Sequence, residues 1–251
     1  MAHRSEECRP RVLVTGGRGF TGRYVTRELE RAGYEVVGLS HDGDAATGEA
    51  VDILDRNALR KAVARIAPDA VVHLAAIAFV AHGDVDAIYR VNVLGTRNLL
   101  EALAALPVPP GIVVLASSAN IYGNAAVEPI TEAVLPAPAN DYAVSKLAME
   151  YMAKLWMDKL PIVVARPFNY TGVGQSEQFL LPKIVAHFRR GERTIELGNT
   201  GVSRDFSDVR DVARAYAKLV EARPAGATFN LCSGVGRSLD EALELMAGIA
   251  G

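Results

Sequence analysis

The chain has 251 residues, of which 50% are hydrophobic, and its 27 basic and 29 acidic side chains give a formal net charge of −2 at pH 7. This length suits one large α/β domain, or one such domain with a small second lobe. This near-neutral charge gives no sign of a basic surface that would bind nucleic acid or an anionic membrane. Cys8 and Cys232 alone exclude a disulfide framework. With a polar N-terminus and no long apolar stretch, we expect a cytoplasmic protein without a membrane span.

The first predicted strand, residues 12–14, leads directly into the segment TGGRGFTG at residues 15–22. A strand, a glycine turn and a helix start in this order place bare backbone N–H groups and the positive end of a helix dipole where a pyrophosphate binds. Gly16 allows the tight turn, Gly19 the approach of the pyrophosphate, and Gly22 the close packing of helix on strand. An ordinary turn is the alternative, but the flanking strand and helix favour a dinucleotide site.

Further apolar, β-rich runs alternate with helical periodicity. The runs are residues 36–39, 70–74, 112–116 and 162–165, and the helices begin near Thr21, Asn57, Asp84, Asp141 and Phe179. Buried strands separated by helices argue for a parallel sheet covered on both faces. The predicted fold class is therefore α/β, a doubly wound parallel sheet of the Rossmann type, with residues 1–166 as the dinucleotide-binding domain.

After Pro167 the pattern becomes less regular. We predict a helix, a short strand at residues 194–197, a helix from Asp208, a strand at residues 228–230 and a last helix. Residues 167–251 are expected to form a small α/β substrate lobe, interleaved with the first domain. Since doubly wound sheets bind ligands at the carboxyl ends of their strands, the chemistry should lie just after those strands.

A candidate acid/base set follows the strand at residues 112–116. Ser118 comes just after this strand, and Tyr142 and Lys146 are four residues apart on the next predicted helix, so they share one helix face. A free phenol has a pKa near 10, and we expect the nearby ammonium to lower it. The Ser118 hydroxyl can hold a substrate carbonyl against Tyr142 for general acid catalysis. The alternative is a surface tyrosine beside a solvated lysine.

Together these segments resemble the extended short-chain dehydrogenases/reductases that act on nucleotide sugars. The resemblance covers nearly the whole chain, and it is carried by TGGRGFTG at residues 15–22, Asp52-Ile53, HLAA at residues 73–76, Ser118, Tyr142 with Lys146, RPFNYTG at residues 166–172 and RDFSDVRD at residues 204–211.

The resemblance implies roles for individual residues, with Ser118, Tyr142 and Lys146 as the catalytic set. Cofactor contacts are implied for Gly16, Arg18, Gly19, Phe20, Thr21, Gly22, Ser40, Asp52, Ile53, Leu74, Ala75 and Ala76, together with Tyr142 and Lys146. Substrate contacts are implied for Phe79, His82, Ser118, Asn120, Asn169, Lys183 and Arg204.

Some of these roles have open alternatives. Asn169, Lys183 and Arg204 suit the diphosphate of a sugar nucleotide, but Arg204 can equally pair with a neighbouring carboxylate. His82 can be an ordinary surface histidine. His73, on a buried strand, is expected to be structural, and no residue is assigned to a metal.

The end of the second strand indicates which cofactor is used. NAD-preferring proteins of this fold place an acidic residue there for the ribose hydroxyls, whereas this chain has Ser40 followed by His41. Arg18 can instead reach a 2′-phosphate, as an arginine at this place does in some NADP-using relatives, although it can also be simply solvated. We therefore expect NADP(H), with NAD(H) as the alternative.

The residue two positions after Ser118 narrows the reaction. By resemblance, 4,6-dehydratases carry a glutamate there and fucose-forming epimerase-reductases a cysteine, whereas this chain has Asn120. Reduction of a 4-keto group or 4-epimerisation remains, and Ser40 departs from the NAD pattern usual in epimerases. Residues 76–84, residues 166–172 and Gln175 are most similar to reductases of GDP-4-keto-6-deoxy-mannose. We predict NADPH-dependent 4-keto reduction of a nucleotide-activated 6-deoxyhexose, with a GDP-sugar favoured.

Two further expectations concern another function class and the oligomeric state. Because a fold does not fix a function, a cofactor-binding regulator or scaffold is an alternative, against which Ser118, Tyr142 and Lys146 weigh. Apolar stripes on two predicted helices are either core or interface. Relatives pair through these two helices as a four-helix bundle, so we expect a homodimer through the stripes Leu99, Leu100, Leu103 and Met149, Met152, Leu155, Trp156.

Overall fold

The computed structural model describes residues 9–41, 48–78, 83–198 and 200–250. The strands are β1 (Arg11–Thr15), β2 (Glu35–Ser40), β3 (Gly48–Ala50), β4 (Ala70–His73), β5 (Val113–Ala116), β6 (Ile162–Pro167), β7 (Asn169–Thr171), β8 (Ser203–Asp208), β9 (Thr228–Leu231) and β10 (Gly236–Ser238). The α-helices are α1 (Phe20–Arg31), α2 (Arg56–Ile66), α3 (Val85–Tyr89), α4 (Thr96–Ala104), α5 (Asp141–Lys154), α6 (Leu180–Arg189), α7 (Val209–Ala222) and α8 (Leu239–Ala250). A π-helical segment, Arg90–Gly95, joins α3 to α4, and a 3₁₀ turn, Ala119–Tyr122, follows β5.

The large sheet has seven strands in the order β3-β2-β1-β4-β5-β6-β9. Every neighbouring pair in it is parallel. The strand order reverses between β1 and β4, so the carboxyl ends of these two strands border the crevice where such folds bind ligands. The predicted doubly wound parallel sheet is confirmed.

Each face of this sheet buries its own apolar core. Leu13 of β1 packs with Leu99 and Met149 from α4 and α5. Its neighbours Val12 and Val14 face the other way, into a core that includes Leu29 of α1 and Tyr216 of α7. Because successive strand residues point to opposite faces, strands covered on both sides must be apolar throughout, which explains their continuous hydrophobic runs.

The second half of the chain leaves the large sheet and then returns to it. After β6, a three-stranded sheet in the order β10-β8-β7 forms with α6 and α8 around Leu181, Ile184 and Leu239. Between β8 and β10, α7 packs against the large sheet and β9 pairs with β6. The expected boundary between residues 166 and 167 falls at the last residue of β6, after which the chain alternates between the small lobe and the large sheet.

The strand predicted at residues 194–197 is wrong, because these residues have no regular secondary structure. Ile195 and Leu197 instead pack against the core of the small lobe, and this packing accounts for the alternating apolar pattern. The short strands β7, β8 and β10 carry no apolar run and were not predicted. Within the described ranges, no helix has the length and hydropathy needed to cross a bilayer.

Candidate active site

The glycine turn lies tightly against the end of β4. Gly16 has φ +71°, and a Cβ at this position would lie 2.8 Å from the Ala75 nitrogen. A Cβ on Gly22 would lie 2.2 Å from the Gly16 carbonyl oxygen, so only glycine lets α1 start this close to the turn. The Gly16 N–H donates to the Leu39 carbonyl at 2.8 Å, which also ties the turn to β2. The residues expected to contact the cofactor in the glycine turn, at the end of β2 and after β4 therefore lie close together.

The start of α1 suits an anion. Its N-cap is Gly19, and no side chain caps the helix. The N–H groups and the dipole of the first turn are thus not screened by a capping side chain, which is the arrangement that binds a pyrophosphate. The residues at this end of the sheet fit a dinucleotide.

Phe20 and Thr21, both expected at the cofactor, also contact the segment after β6. The Phe20 ring stacks on Tyr170 with centroids 6.2 Å apart, and the Thr21 hydroxyl hydrogen-bonds the Tyr170 hydroxyl at 2.8 Å. Tyr24 donates to the Val173 carbonyl at 2.8 Å. These contacts fasten β7 and the following loop to the helix that bears the glycine turn, a link that the sequence pattern did not show.

A cavity of about 430 Å³ lies between the glycine turn, α1 and the end of β2. Arg18 and Ser40 both line it, together with Arg23, Arg27 and one carboxylate, Glu30. Arg23 also donates to the Gly174 carbonyl at 3.3 Å. Three guanidinium groups give this cavity a positive balance, so it fits a phosphate better than a second sugar hydroxyl. Arg23 and Arg27 were missed because the sequence offers no motif at their positions.

The loop after β3 is held in place beside α4. Ile53 is buried, and a Cβ on Gly95 would lie 2.5 Å from the Ile53 Cδ1. Asn98 donates to the Ile53 carbonyl at 3.1 Å, and the exposed Asp52 accepts the Leu54 N–H at 2.9 Å. Leu74, Ala75 and Ala76 are half-buried after β4.

His73 forms the centre of a buried hydrogen-bond chain. Its Nδ1 lies 2.6 Å from the Thr15 hydroxyl and its Nε2 lies 2.8 Å from the Thr96 hydroxyl. Thr96 donates its hydroxyl proton to the Asn92 carbonyl, so Nε2 must donate to Thr96, and in a neutral ring Nδ1 then accepts from the Thr15 hydroxyl. Burial, and then Lys146, lower the pKa of His73 to about 3. His73 is therefore neutral and structural, as expected.

The structure brings together the three residues expected to be catalytic. Tyr142 and Lys146 lie on α5 with exposed fractions of 8% and 5%, and Ser118 follows β5 with 8%. The Lys146 Nζ donates to the Ala116 carbonyl at 2.8 Å and lies 5.9 Å from the centroid of the Tyr142 ring. The Ser118 hydroxyl accepts the Asn120 N–H at 3.2 Å. All three groups thus meet at the carboxyl end of β5.

The expected lowering of the Tyr142 pKa is wrong in direction. Burial raises the pKa of the phenol, Tyr170 raises it further, and a hydrogen bond with Ser118 only partly offsets them. Burial also lowers the pKa of Lys146 to about 8, and Glu150 acts against that shift. Desolvation of the phenolate is therefore the largest effect on this pKa. The phenol is protonated at neutral pH and can donate its proton.

The residues expected at the substrate lie on several elements. Asn120 is exposed on the 3₁₀ turn, and Asn169, Lys183 and Arg204 are exposed on β7, α6 and β8 of the small lobe. The Lys183 Nζ lies 3.4 Å from the Glu196 carbonyl oxygen, and Arg204 donates to the Ser203 carbonyl at 2.9 Å. Phe79 and His82 lie outside the described residues. In the part of the chain that the structure describes, no group of three or more metal-ligating side chains is assembled.

Comparison with known proteins places the chain in a family. The model of the NAD dependent epimerase/dehydratase family matches residues 12–232, and the chain belongs to this family. It is similar to GDP-6-deoxy-D-talose 4-dehydrogenase of Aggregatibacter actinomycetemcomitans, with 35% identity covering 96% of this chain and 80% of the relative. It is also similar to GDP-6-deoxy-D-mannose reductase of Pseudomonas aeruginosa, with 37% identity and the same coverage. The protein is an enzyme of a family to which relatives acting on GDP-sugars belong.

Solved structures agree with the fold. The crystal structure of a putative epimerase from Burkholderia cenocepacia J2315 matches with a TM-score of 0.91 and 57% identity, covering 96% of this chain and 81% of that one. The structure of RMD from Pseudomonas aeruginosa, complexed with NADPH, has a TM-score of 0.83 and 36% identity, covering 96% and 82%. The family to which this chain belongs binds nicotinamide cofactors.

The buried, neutral His73 predicts how stability depends on pH. In the unfolded chain His73 takes up a proton below pH 6.5, whereas in the folded protein its pKa is about 3, so stability is lost as the pH falls through 6.5. Between pH 7.5 and pH 5 we expect the free energy of unfolding to fall by about 2 kcal/mol more in the wild type than in His73→Gln. Urea unfolding at both pH values measures this difference. Equal pH dependence in His73→Gln and in the wild type would contradict the assignment.

Proposed function

We propose that the protein is an NADPH-dependent reductase of the 4-keto group of a GDP-linked 6-deoxyhexose. The observation that carries the proposal is the buried set of Ser118, Tyr142 and Lys146 at the carboxyl end of β5, next to a glycine turn that fits a dinucleotide. The two relatives named above support the substrate class, since the names of both contain a GDP-6-deoxyhexose.

In this proposal the protein's own residues supply the proton and hold the ketone. A bound NADPH supplies the hydride. Tyr142, kept protonated by burial, donates its hydroxyl proton to the carbonyl oxygen, and the Ser118 hydroxyl hydrogen-bonds the same oxygen. The Lys146 ammonium, 5.9 Å from the centroid of the Tyr142 ring, helps to stabilise the phenolate that results. Solvent then returns a proton to Tyr142.

The cofactor would lie along the carboxyl ends of β1, β2 and β4. The glycine turn with Gly16, Gly19 and Gly22 and the start of α1 would hold the pyrophosphate, and Ile53 and Asp52 would flank the adenine. Arg18 and Ser40 would face the 2′-phosphate in the positive cavity, which supports NADPH over NADH.

The small lobe would hold the sugar nucleotide. Asn169, Lys183 and Arg204 are exposed polar side chains on this lobe, and they offer amide and cationic donors for two phosphates. We assign Asn120, Phe79 and His82 to the sugar. The names of the two similar relatives contain talose and mannose at nearly equal identity, so product analysis must decide the configuration at C4.

A substrate panel tests the proposed function. The wild type is incubated with NADPH and with GDP-4-keto-6-deoxy-mannose, its dTDP counterpart and UDP-glucose, and the products are identified by NMR. We expect stoichiometric NADPH oxidation with the GDP-ketosugar. Interconversion of UDP-glucose and UDP-galactose without net NADPH oxidation would indicate a 4-epimerase. NADPH binding without turnover of any member would indicate a regulator.

Removal of the phenol hydroxyl should abolish most of the turnover. In Tyr142→Phe we expect kcat to fall by about 10²–10⁴-fold, because the general acid is lost, while the affinity for NADPH stays close to that of the wild type. The matched control is Tyr151→Phe on the same helix, whose exposed ring contacts Lys154. Stopped-flow turnover and fluorescence titration of NADPH measure both effects. Unchanged kcat in Tyr142→Phe would exclude Tyr142 as the acid.

Arg18 should control the choice between the two cofactors. In Arg18→Leu we expect kcat/KM for NADPH to fall by about tenfold or more, because a charged hydrogen bond to phosphate is lost, with little change for NADH. The control Arg31→Leu removes an exposed arginine at the far end of α1, paired there with Glu28. A wild type that prefers NADH, or equal losses for both cofactors in Arg18→Leu, would contradict this role.

We also infer a homodimer through the outer face of α5, where Leu155 is the one exposed residue among the two stripes expected above. Leu99, Leu100, Leu103 and Met149 are fully buried in the core of the subunit, and Met152 and Trp156 pack against it, so these residues cannot form the contact. The outer face of the same helix instead carries Val144 and Tyr151, followed one turn later by Leu155, which are 37%, 58% and 79% exposed. These residues are seven and four positions apart and form one stripe.

Charge on this outer stripe should dissociate the dimer. We expect Leu155→Glu to convert a dimer into a monomer in sedimentation equilibrium, because the interface would have to bury a carboxylate. Leu135→Glu, at an equally exposed leucine in the loop before α5, is the control and should remain dimeric. A monomeric wild type, or a dimeric Leu155→Glu, would contradict the inferred interface.

A further inference from the structure

A buried ion pair lies one helical turn beyond Lys146. Glu150 of α5 and Arg166 of β6 are 5% and 8% exposed. Arg166 binds the carboxylate with two parallel hydrogen bonds, Nε to Oε1 at 3.0 Å and Nη2 to Oε2 at 2.6 Å. Such bidentate pairs fix orientation as well as charge. A buried pair is costly to desolvate, so its presence next to the catalytic set calls for a reason beyond stability.

The pair contacts the strand end that leads to Ser118. The Ser117 hydroxyl donates to the Glu150 Oε1, and the adjacent Ala116 carbonyl accepts the Lys146 ammonium at 2.8 Å. Helix α5 therefore hydrogen-bonds two consecutive residues of this segment. The Lys146 ammonium binds Ala116, and the Glu150 carboxylate binds Ser117. Ser118 is the next residue, so its position follows from these two contacts.

On its other side the pair is itself held by a hydrogen-bond chain. Arg166 Nη1 donates to the Tyr122 hydroxyl at 2.7 Å, and this hydroxyl donates to the Asn230 Oδ1 at 2.8 Å. Asn230 in turn donates to the Ile130 carbonyl at 3.0 Å and to Glu132 at 2.7 Å. The chain connects β6 and β9 with the 3₁₀ turn and the loop before α5, so the carboxylate has a fixed orientation.

We propose that Glu150, oriented by Arg166, is a positioning residue that places the Ser117-Ser118 segment and supplies the negative charge that keeps Lys146 an ammonium. Glu150 hydrogen-bonds Ser117 and Arg166, and it acts on Ser118 through Ser117 and on Lys146 through its charge. The inference deepens the proposed reductase function and rests on it for its kinetic test.

Glu150 is the acidic group that acts on Lys146. Burial lowers the pKa of Lys146 to about 8, and the Glu150 charge raises it, so removal of this charge should lower the pKa further. Other titratable or charged groups of the elements around Lys146 are Tyr142 on the same helix, His73 on β4, Tyr122 on the 3₁₀ turn, Arg166 on β6, and Tyr89 of α3 with Asp141 at the start of α5.

Two variants separate position from charge. Glu150→Gln keeps the shape and removes the charge, and we expect kcat to fall by about tenfold or more, with the alkaline limb of the kcat profile at lower pH by about half a unit or more. Ser117→Ala removes only the link to the strand end, and we expect a fall in kcat of about fivefold or more without a shifted limb. Glu101→Gln is the control, because it breaks only exposed pairs with Arg56 and Arg97 on the outside of α4. It should leave kcat and the alkaline limb of its pH profile unchanged.

A titration without substrate distinguishes failure of this inference from failure of the proposed function. In protein labelled with ¹³C-lysine, the Lys146 Cε signal, assigned with Lys146→Met, reports its protonation directly. We expect a midpoint near pH 8 in the wild type and a lower one in Glu150→Gln. A wild type that reduces no ketosugar would overturn the proposed function alone, since this titration still applies.

The outcomes that overturn the inference are equally specific. A folded Glu150→Gln with kcat within twofold of the wild type and an unchanged Lys146 midpoint excludes it. If Glu150→Gln does not fold, Ser117→Ala decides: wild-type kcat in this variant overturns the inference, and reduced kcat with an unchanged melting temperature supports it.

Discussion

The contact on which the site depends is the hydrogen bond from the buried Lys146 ammonium to the Ala116 carbonyl at the end of β5. A cation 5% exposed is tolerated only with such partners, and the carbonyl together with the Glu150 charge provides them. The contact joins α5 to the end of β5, and the buried Met149 and Ala153 pack the same helix against the core. Tyr142, one turn before Lys146 on the same face, is thereby brought to Ser118.

The small lobe is part of this site through its contacts as well as its position. Tyr170 of β7 stacks on Phe20 at the start of α1 and hydrogen-bonds Thr21. The same tyrosine raises the pKa of Tyr142. One residue therefore joins the start of α1, the segment leading into the small lobe and the catalytic phenol.

The sequence predicted the structure best where the conformation is determined by residues close together in the chain. The glycine turn, the strand runs and the four-residue spacing of Tyr142 and Lys146 each follow from sterics or from helix periodicity, and the structure agrees with them. It was least informative where the partner is distant. Three features depend on residues that are distant in the chain. They are the packing of α7 and β9 on the large sheet, the ion pair of Glu150 with Arg166, and the position of Arg27 in the cavity wall.

Two wrong expectations have the same physical origin. The Tyr142 pKa was expected from its neighbour on the helix, but desolvation by the whole surrounding fold decides its direction. The alternating residues at 194–197 were expected to form a strand, but their apolar side chains serve the core of the small lobe without strand pairing. In both cases tertiary packing outweighs the local pattern.

The central claim is that these residues deliver a proton to a ketone that receives hydride from the nicotinamide. The most direct measurement incubates the protein with GDP-4-keto-6-deoxy-mannose and NADPH that carries deuterium at either the 4R or the 4S position, followed by NMR of the sugar. The account predicts deuterium bonded to C4 of the product from one of the two labelled cofactors. No deuterium on the sugar from either would contradict it.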